Sequence, residues 1–279
     1  MVAQLTVMSS RAADPERRRD ESHWSAFDAA GIQRLLAAED RHFWFRARNE
    51  TLAALALGPI GRLPDGFHIL EVGCGSGNVL RVLQRLAAGR GEVEGLELSV
   101  EAAKVARDRT GLRVTNGYLS DLDSSTSYDV VAAFDVLEHI ADEAEVLTQM
   151  RERMPPDGCL ILTVPAHQAL WSPFDIASGH YRRYSMETLS RALRSSGYRV
   201  EYITYFMSLL FPPMWLRRRF LKTEHHDMGE LLDSEFQIIP GINVLAYELL
   251  RCEAQVVSRR WRLPFGTSLA AIARPHPSA

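Results

Sequence analysis

The sequence is poor in cysteine, and the cysteines it has are isolated. Cys74, Cys159 and Cys252 are the three present, and no Cys-x-x-Cys pair occurs. That spacing argues against a disulfide framework and against a zinc site. It fits a protein kept in a reducing compartment.

Long apolar runs are also lacking. The longest, residues 205–216, is interrupted by two prolines, and it is shorter than the roughly 20 residues that span a membrane. Residues 1–22 contain no apolar signal core and mix acids with arginines. We therefore predict a disordered tail there rather than a targeting peptide, and we expect a soluble, cytoplasmic protein.

An excess of positive charge is absent as well. The chain has 32 Lys and Arg against 35 Asp and Glu, a formal net charge of −3 over 279 residues. Such a balance gives no general attraction for nucleic acid, so no nucleic-acid partner is expected. Hydrophobic residues make up 46% of the chain, which is enough to bury a sizeable core.

What the sequence does contain is an alternation of apolar strands with helices of 3.6-residue spacing. The predicted strands are residues 67–72, 92–98, 112–117, 128–134, 158–165, 198–206 and 265–275. Helix starts are marked by Ser99, Asp142 and Ser185, and Gly89 is predicted as a helix C-cap. The pattern predicts an α/β fold with a doubly wound, mostly parallel, seven-stranded sheet, in which ligands bind at the carboxyl ends of the strands.

The predicted organisation has five parts. After the tail, residues 23–60 form a helical lid and residues 61–206 the α/β core. A helical insertion follows at 207–262, and residues 263–279 supply the final strand of the core and a short tail.

Glycine is concentrated in GCGSGN, residues 73–78, between the first strand and the helix that follows. A dinucleotide-binding turn has the pattern G-x-G-x-x-G, but the third glycine here comes one residue early, at Gly77. No Gly-Lys-Ser or Gly-Lys-Thr follows, which excludes a Walker A loop. Glycines at this place leave backbone N–H groups uncovered for a small ligand.

The longer run ILEVGCGSGN, residues 69–78, resembles the first motif of class I S-adenosylmethionine (SAM)-dependent methyltransferases, and the acid Glu97 ends the next strand as it does in that family. The resemblance covers roughly residues 41–205 and, more weakly, residues 263–275. It implies a Rossmann-like methyltransferase fold, SAM as cofactor, and Glu97 as the acceptor of both ribose hydroxyls. Tyr118 stands where relatives often carry an aspartate near the adenine, with Asp121 three residues later.

The resemblance also implies a set of cofactor-binding residues at and just beyond the carboxyl ends of the first four strands. They are Glu71, Gly73, Gly75, Gly77, Asn78, Glu97, Leu98, Tyr118, Leu119, Asp135 and Val136.

The segment after the fifth strand, residues 165–185, is dense in polar and aromatic groups and should lie over the methyl group. It is similar to a pattern in a bacterial subgroup linked to glycan or secondary-metabolite pathways. We predict His180 and Asp175 as candidate bases. His139, just after the fourth strand, is a third catalytic candidate, although a histidine at such an edge is more often a structural hydrogen-bonding group. The alternative is a structural loop fastened by an Asp–His or Asp–Arg pair. No histidine spacing matches a zinc or iron site closely, so no metal is predicted.

Substrate-binding candidates come from this segment and from the aromatic N-terminal helix around residues 39–50. They are Phe43, Trp44, Arg48, His167, Trp171, Arg182 and Tyr184. Arg183 is an alternative to Arg182 for binding an anionic acceptor. The aromatic residues of the helix can equally serve only to dock it on the core.

Residues 207–222 join an apolar, proline-broken run to Arg217, Arg218, Arg219 and Lys222. Apolar surface beside basic charge suits an anionic membrane face or a lipid-linked substrate. A helix packed on the core or a homodimer contact would produce the same pattern.

Taken together, these features predict a SAM-dependent methyltransferase that methylates an O or N atom of a small molecule such as a sugar, a secondary metabolite or a lipid-linked glycan. Three alternatives remain: a SAM-fold enzyme with non-methylating chemistry such as cyclisation or deoxygenation, a non-catalytic SAM-binding subunit, and an NAD-dependent dehydrogenase.

Overall fold

The computed structural model describes residues 29–220 and 236–276. The predicted tail at 1–22, together with Lys222, lies outside the described residues. The strands are β1 His68–Val72, β2 Glu92–Glu97, β3 Val114–Asn116, β4 Val130–Phe134, β5 Cys159–Pro165, β6 Tyr198–Phe206 and β7 Ser268–Pro275. The α-helices are α1 Ala29–Glu39, α2 Phe43–Gly61, α3 Leu80–Ala87, α4 Val100–Thr110, α5 Glu143–Glu152, α6 Pro173–Ala177, α7 Met186–Ser195, α8 Phe211–Phe220 and α9 Pro240–Ser258.

The strands form one seven-stranded sheet in the order β3-β2-β1-β4-β5-β7-β6. β1 pairs in parallel with both β2 and β4, while β7 is antiparallel to its two neighbours β5 and β6. This arrangement confirms the predicted fold class. The strand order reverses between β1 and β4, so a ligand crevice is expected outside the carboxyl ends of these two strands.

Alternating side chains of the strands pack into two apolar cores, one on each face of the sheet. Ile69 of β1 joins the core beneath α2, α3, α4 and α9, and the next residue, Leu70, joins the core beneath α5 and α7. All five residues of β4 are buried. A parallel strand covered on both faces needs such a continuous apolar run.

Three predicted helix starts are confirmed by their caps. The side chains of Ser99, Asp142 and Ser185 accept hydrogen bonds from backbone N–H groups in the first turns of α4, α5 and α7. The predicted cap at Gly89 is wrong by one residue, because Ala88 already takes the left-handed conformation at φ 51°.

The helical insertion packs on the N-terminal helices. The Asn243 side chain of α9 accepts a hydrogen bond from the backbone N–H of Phe43 at 2.7 Å and donates one to the Arg41 carbonyl at 3.1 Å. Insertion and N-terminal segment therefore form one layer on the sheet. Within residues 29–220 and 236–276, no helix combines the length and apolar character needed to cross a bilayer.

The three glycines of the loop after β1 all have positive φ, but their surroundings differ. A Cβ at Gly77 would lie 3.1 Å from the Cα of Ala106 in α4, whereas a Cβ at Gly75 would meet no atom within 4 Å. A Cβ at Gly73 would lie 2.7 Å from Val136. Gly77 therefore allows the loop to pack against α4, while Gly75 leaves the surface of the loop open.

We expect Gly77→Ala to destabilise the protein more than Gly75→Ala. Both variants place Cβ on a left-handed backbone, which costs roughly 1–2 kcal/mol, but only Gly77→Ala adds an overpacking cost of about 1–3 kcal/mol. Urea unfolding of the two variants measures the difference. Equal losses in the free energy of unfolding would contradict the packing role of Gly77.

Candidate functional site

Glu97 connects the glycine loop, residues 73–78, to the start of α4 through hydrogen bonds. One carboxylate oxygen accepts the Gly75 N–H and the other accepts the Ser99 N–H, each at 2.8 Å. Burial raises the pKa of Glu97, and these backbone hydrogen bonds oppose the shift. Because a carboxylate has about four acceptor positions, both oxygens keep capacity for a ligand. The Asn116 side chain holds the chain beyond β2 by donating to the carbonyls of Glu97 and Leu98.

The N-terminal helices contact the glycine loop directly. Glu39, at the end of α1, accepts a hydrogen bond from the Ser76 hydroxyl at 2.6 Å and pairs with Arg109 of α4 at 2.5 Å. Asn49 of α2 donates to Asn78 at 3.1 Å. The sequence did not predict these contacts, because their partners lie far apart along the chain. The predicted helical lid is therefore fastened to the loop by polar contacts.

A buried arginine and a partly exposed aspartate form an ion pair at the carboxyl ends of β1 and β4. Arg48 of α2 donates twice to one oxygen of Asp135, at 2.9 and 2.6 Å, and Thr163 donates to the other oxygen at 3.1 Å. Asp135 itself has a φ of 57°, the kind of backbone strain that collects at functional sites. Arg48, predicted to bind substrate, is thus buried in an ion pair at the strand ends.

Glu71 lies beside this pair and is 2% exposed. Its Oε2 atom is buried and has no hydrogen-bond partner within the described part of the chain. Burial raises the pKa of Glu71 well above its usual range, and the nearby charge of Arg48 lowers it in part. A buried carboxylate oxygen without a partner is costly and calls for a ligand that donates to it.

The predicted cofactor-binding residues in the loops after β2 and β3 differ in how deeply they are buried. Leu119 is buried in the core beneath α5 and α7, while Tyr118 and Leu98 are half-buried. The carboxylate of Asp121 accepts the backbone N–H of Tyr118 at 2.8 Å. Asp121 therefore stabilises the turn in which Tyr118 and Leu119 lie.

Asp175 is the centre of the segment between β5 and α7. Its carboxylate is 0% exposed and accepts hydrogen bonds from Arg183 at 2.7 and 3.0 Å and from the backbone and hydroxyl of Ser172. Its Oδ1 lies 2.9 Å from Nδ1 of His180. Burial alone would raise the pKa of Asp175, but these partners hold it well below its usual range. The geometry favours the alternative of a segment fastened by Asp–His and Asp–Arg pairs.

The structure brings His139 and His180 together. Their ring centroids lie 4.5 Å apart in an edge-to-face arrangement, and the buried Glu138 adjoins them. Burial lowers the pKa of His139 to about 3, and the charge of the neighbouring His180 adds to this shift. Burial and the charge of Asp135 raise the pKa of Glu138 well above its usual range.

Other predicted substrate residues lie apart from this pair. His167 stacks on Tyr205, with ring centroids 4.8 Å apart and planes 9° apart. Arg182 pairs with Glu143 at 3.1 Å, and Tyr184 is buried with its hydroxyl bonded to the same carboxylate. Arg182 and Tyr184 thus join the segment to the start of α5. Trp171 is half-buried after a short turn of 3₁₀ helix.

Aromatic rings connect the N-terminal helices to the segment after β5. Trp44 and Phe45 lie edge to face at 4.9 Å, Phe236 contacts Phe45 at 4.9 Å, and Phe174 contacts Phe236 at 6.2 Å. Phe43 and Trp44 also pack against the core beneath α2. Phe236 escaped the sequence analysis because it is a single aromatic residue in a segment without helical or strand periodicity.

Comparisons with known proteins agree with this architecture. A family model described as a methyltransferase domain matches residues 32–203. Ubiquinone biosynthesis O-methyltransferases from Azorhizobium caulinodans and Rhodopseudomonas palustris (strain TIE-1) are 32% and 28% identical, over 58% and 40% of this chain. The matches span 60% and 45% of those proteins, so the chain spans about half the length of the curated relatives it matches.

Among solved structures, a similar chain comes from the complex of the Haloferax volcanii Trm112 methyltransferase activator with a methyltransferase. It has a TM-score of 0.57 at 21% identity and covers 92% of this chain and 99% of that one. At this identity the likeness shows the fold alone.

We predict that Asp175→Asn lowers the free energy of unfolding at pH 7 by about 3–5 kcal/mol, because it leaves Arg183 buried without its counter-charge. The stability contributed by a carboxylate with a lowered pKa is fully present above its unfolded pKa of about 3.9 and is lost as the pH falls through its folded pKa. The difference between wild type and variant should therefore shrink below about pH 4.

Urea unfolding across pH measures this effect. Glu187→Gln is the matched control, since it breaks the exposed ion pair of Glu187 with Arg191, where a loss of only about 0.3–0.5 kcal/mol is expected. Similar losses in the two variants at pH 7 would contradict the structural role of Asp175.

Proposed function

The chain belongs to the class I SAM-dependent methyltransferase family, and from that premise we propose that it transfers the methyl group of SAM to an oxygen of a small-molecule acceptor. The observation that carries the proposal is the carboxylate of Glu97, held by the Gly75 and Ser99 N–H groups at 2.8 Å beside a glycine loop whose surface is open at Gly75.

The residues at the strand ends fit SAM. The buried Oε2 of Glu71, which has no hydrogen-bond partner in the described ranges, suits the ammonium of the methionine portion. The remaining acceptor positions of Glu97 suit the two ribose hydroxyls. The predicted cofactor roles of Glu71, Gly75 and Glu97 are therefore kept in this proposal.

SAM supplies a methyl group activated on a sulfonium, and the contribution of the protein is mainly to position the acceptor for in-line displacement. The N-terminal helices cover the glycine loop through Glu39–Ser76 and Asn49–Asn78. A covered site excludes water from the reacting atoms and holds the acceptor in one orientation.

We favour a hydroxyl acceptor over an amine. The named curated relatives are O-methyltransferases, and a hydroxyl must lose its proton during transfer. His180 is the group best suited to assist this step, because Asp175 takes its Nδ1 and leaves Nε2 for a proton or a cation. Asp175, which binds Arg183 and has a lowered pKa, is in this proposal a positioning residue and not the base.

We further propose that the acceptor carries an apolar portion. α8 exposes Trp215, Leu216 and Phe220, and α9 exposes Val244 and Leu245. Residues 217–219 add three arginines to α8, so the exposed side chains of α8 would suit a lipid-linked acceptor at an anionic membrane face. A homodimer contact through this surface would cover the same side chains.

We expect Glu97→Gln to weaken SAM binding by about 10- to 100-fold, since it replaces a charged acceptor whose hydrogen bonds are worth roughly 1.5–3 kcal/mol. Isothermal titration calorimetry with SAM measures the change. Glu101→Gln is the matched control, because Glu101 is exposed in the first turn of α4, and its affinity should equal that of wild type. Unchanged affinity in Glu97→Gln, or tight binding of NADH by wild type, would contradict the assigned site.

Methyl transfer itself is tested by incubating the protein with SAM labelled in the methyl group and hydroxyl acceptors of matched head group, with and without an apolar tail. We expect S-adenosylhomocysteine and labelled product in equal amounts, with the tailed acceptors preferred. The fold alone does not fix the chemistry. Rearranged acceptor without label would identify a cyclase or similar enzyme, and SAM binding without turnover of any acceptor would favour a non-catalytic subunit.

A further inference from the structure

Three side chains at the carboxyl end of β4 converge in a manner that methyl transfer does not require. Glu138 and His139 belong to the short 3₁₀ turn Leu137–His139, and His180 comes from the segment between β5 and α7. One ligand atom from each residue lies within 4.8 Å of the other two. We propose that Glu138, His139 and His180 form a binding site for a borderline divalent cation of the Zn²⁺ class.

The donor set suits such an ion. Two imidazoles and one carboxylate are ligands that Zn²⁺ and its first-row neighbours prefer, whereas Mg²⁺ and Ca²⁺ prefer all-oxygen sites. Bonds of about 2.0–2.2 Å to Zn²⁺ place ligand atoms about 3–4 Å apart, so the observed spacing needs only small rotations of the side chains. Sequence spacing does not reveal this set, because His180 lies 41 residues beyond His139 in the chain.

Glu138 gives an independent indication of a cation. Its side chain is 1% exposed, and its Oε2 atom has no hydrogen-bond partner among residues 29–220 and 236–276. An unpaired buried carboxylate oxygen is costly, and here the side chains beside it are two imidazoles. A bound cation would offset its charge and satisfy the oxygen.

Both imidazoles are already oriented by other groups, as in established metal sites. His180 holds Asp175 through Nδ1 at 2.9 Å, which leaves Nε2 as its ligand atom. The backbone of Ser178 hydrogen-bonds to the ring of His139. Metal-bound histidines commonly use their second nitrogen in this way, with a carboxylate or a carbonyl. Arg183 in turn fixes Asp175.

Three protein ligands leave at least one coordination position on such an ion for water or an acceptor oxygen. A hydroxyl bound there would release its proton to solvent water more readily, because the cation would stabilise the alkoxide. This consequence rests on the proposed methyl transfer, whereas the binding of the cation does not.

The test is calorimetric titration of the full chain with Zn²⁺ after treatment with a chelator and removal of the chelator. We expect one equivalent to bind wild type, and Glu138→Gln and His180→Gln each to raise the Kd at least about tenfold. His167→Gln is the matched control, because the His167 ring in the same segment stacks on Tyr205 outside the cluster, and its Kd should equal that of wild type.

Thermal unfolding provides a second readout, since Zn²⁺ at one fixed concentration should raise the Tm of wild type and of His167→Gln more than that of Glu138→Gln. Circular dichroism without metal shows whether each variant is folded. Absence of stoichiometric binding by wild type, or an equal Kd in wild type and a folded Glu138→Gln, would overturn the cation site. SAM titrations of the same proteins keep the two proposals apart: SAM binding without Zn²⁺ binding refutes only the cation site, and Zn²⁺ binding without SAM binding refutes only the methyltransferase assignment.

Discussion

Three acidic side chains, two of them buried, lie at the point where the strand order reverses, and neutralising their charge is the constraint on which the site depends. Glu71, Asp135 and Glu138 all lie at the carboxyl ends of β1 and β4, and Glu71 and Glu138 are at most 2% exposed. Such groups are tolerated only when opposite charge or a hydrogen-bond donor reaches them. Arg48 supplies that charge from α2. The N-terminal helices therefore offset negative charge at the carboxyl ends of the strands as well as cover them.

The three carboxylates differ in their hydrogen-bond partners. Asp135 is satisfied by Arg48 and Thr163, whereas one oxygen each of Glu71 and Glu138 has no partner in the described residues. The two oxygens have different neighbours. Glu71 lies at the glycine loop, where an ammonium fits, and Glu138 lies against two imidazoles, where a metal cation fits. We therefore propose a different cationic ligand for each carboxylate, according to the groups that surround it.

Much of the fold could be predicted from the sequence, because the signals for it are local. Apolar, strand-like segments that alternate with helical spacing identified all seven strands, and Ser99, Asp142 and Ser185 identified helix starts within one turn. The glycine loop and Glu97 could be placed because the turn and the end of β2 have fixed positions in this topology. Local signals did not distinguish Gly75, which has free space beside its Cα, from Gly77, which packs on α4. The difference depends on a helix that lies later in the chain.

The pairings inside the site could not be predicted in this way. Arg48–Asp135, Arg109–Glu39 and the contacts of Phe236 join residues tens to hundreds of positions apart, and no periodicity records them. The segment after β5 was identified as important, but the direction of each side chain was not. His180 turns toward His139, while Arg182 and Tyr184 turn toward Glu143.

The central claim is that the crevice between the glycine loop, Glu71 and Glu97 holds SAM. A crystal structure of the protein soaked with S-adenosylhomocysteine tests this claim most directly. We expect the ribose hydroxyls within hydrogen-bond distance of the Glu97 carboxylate and the amino group at Glu71. Electron density for the ligand elsewhere, or a ribose turned away from Glu97, would contradict it.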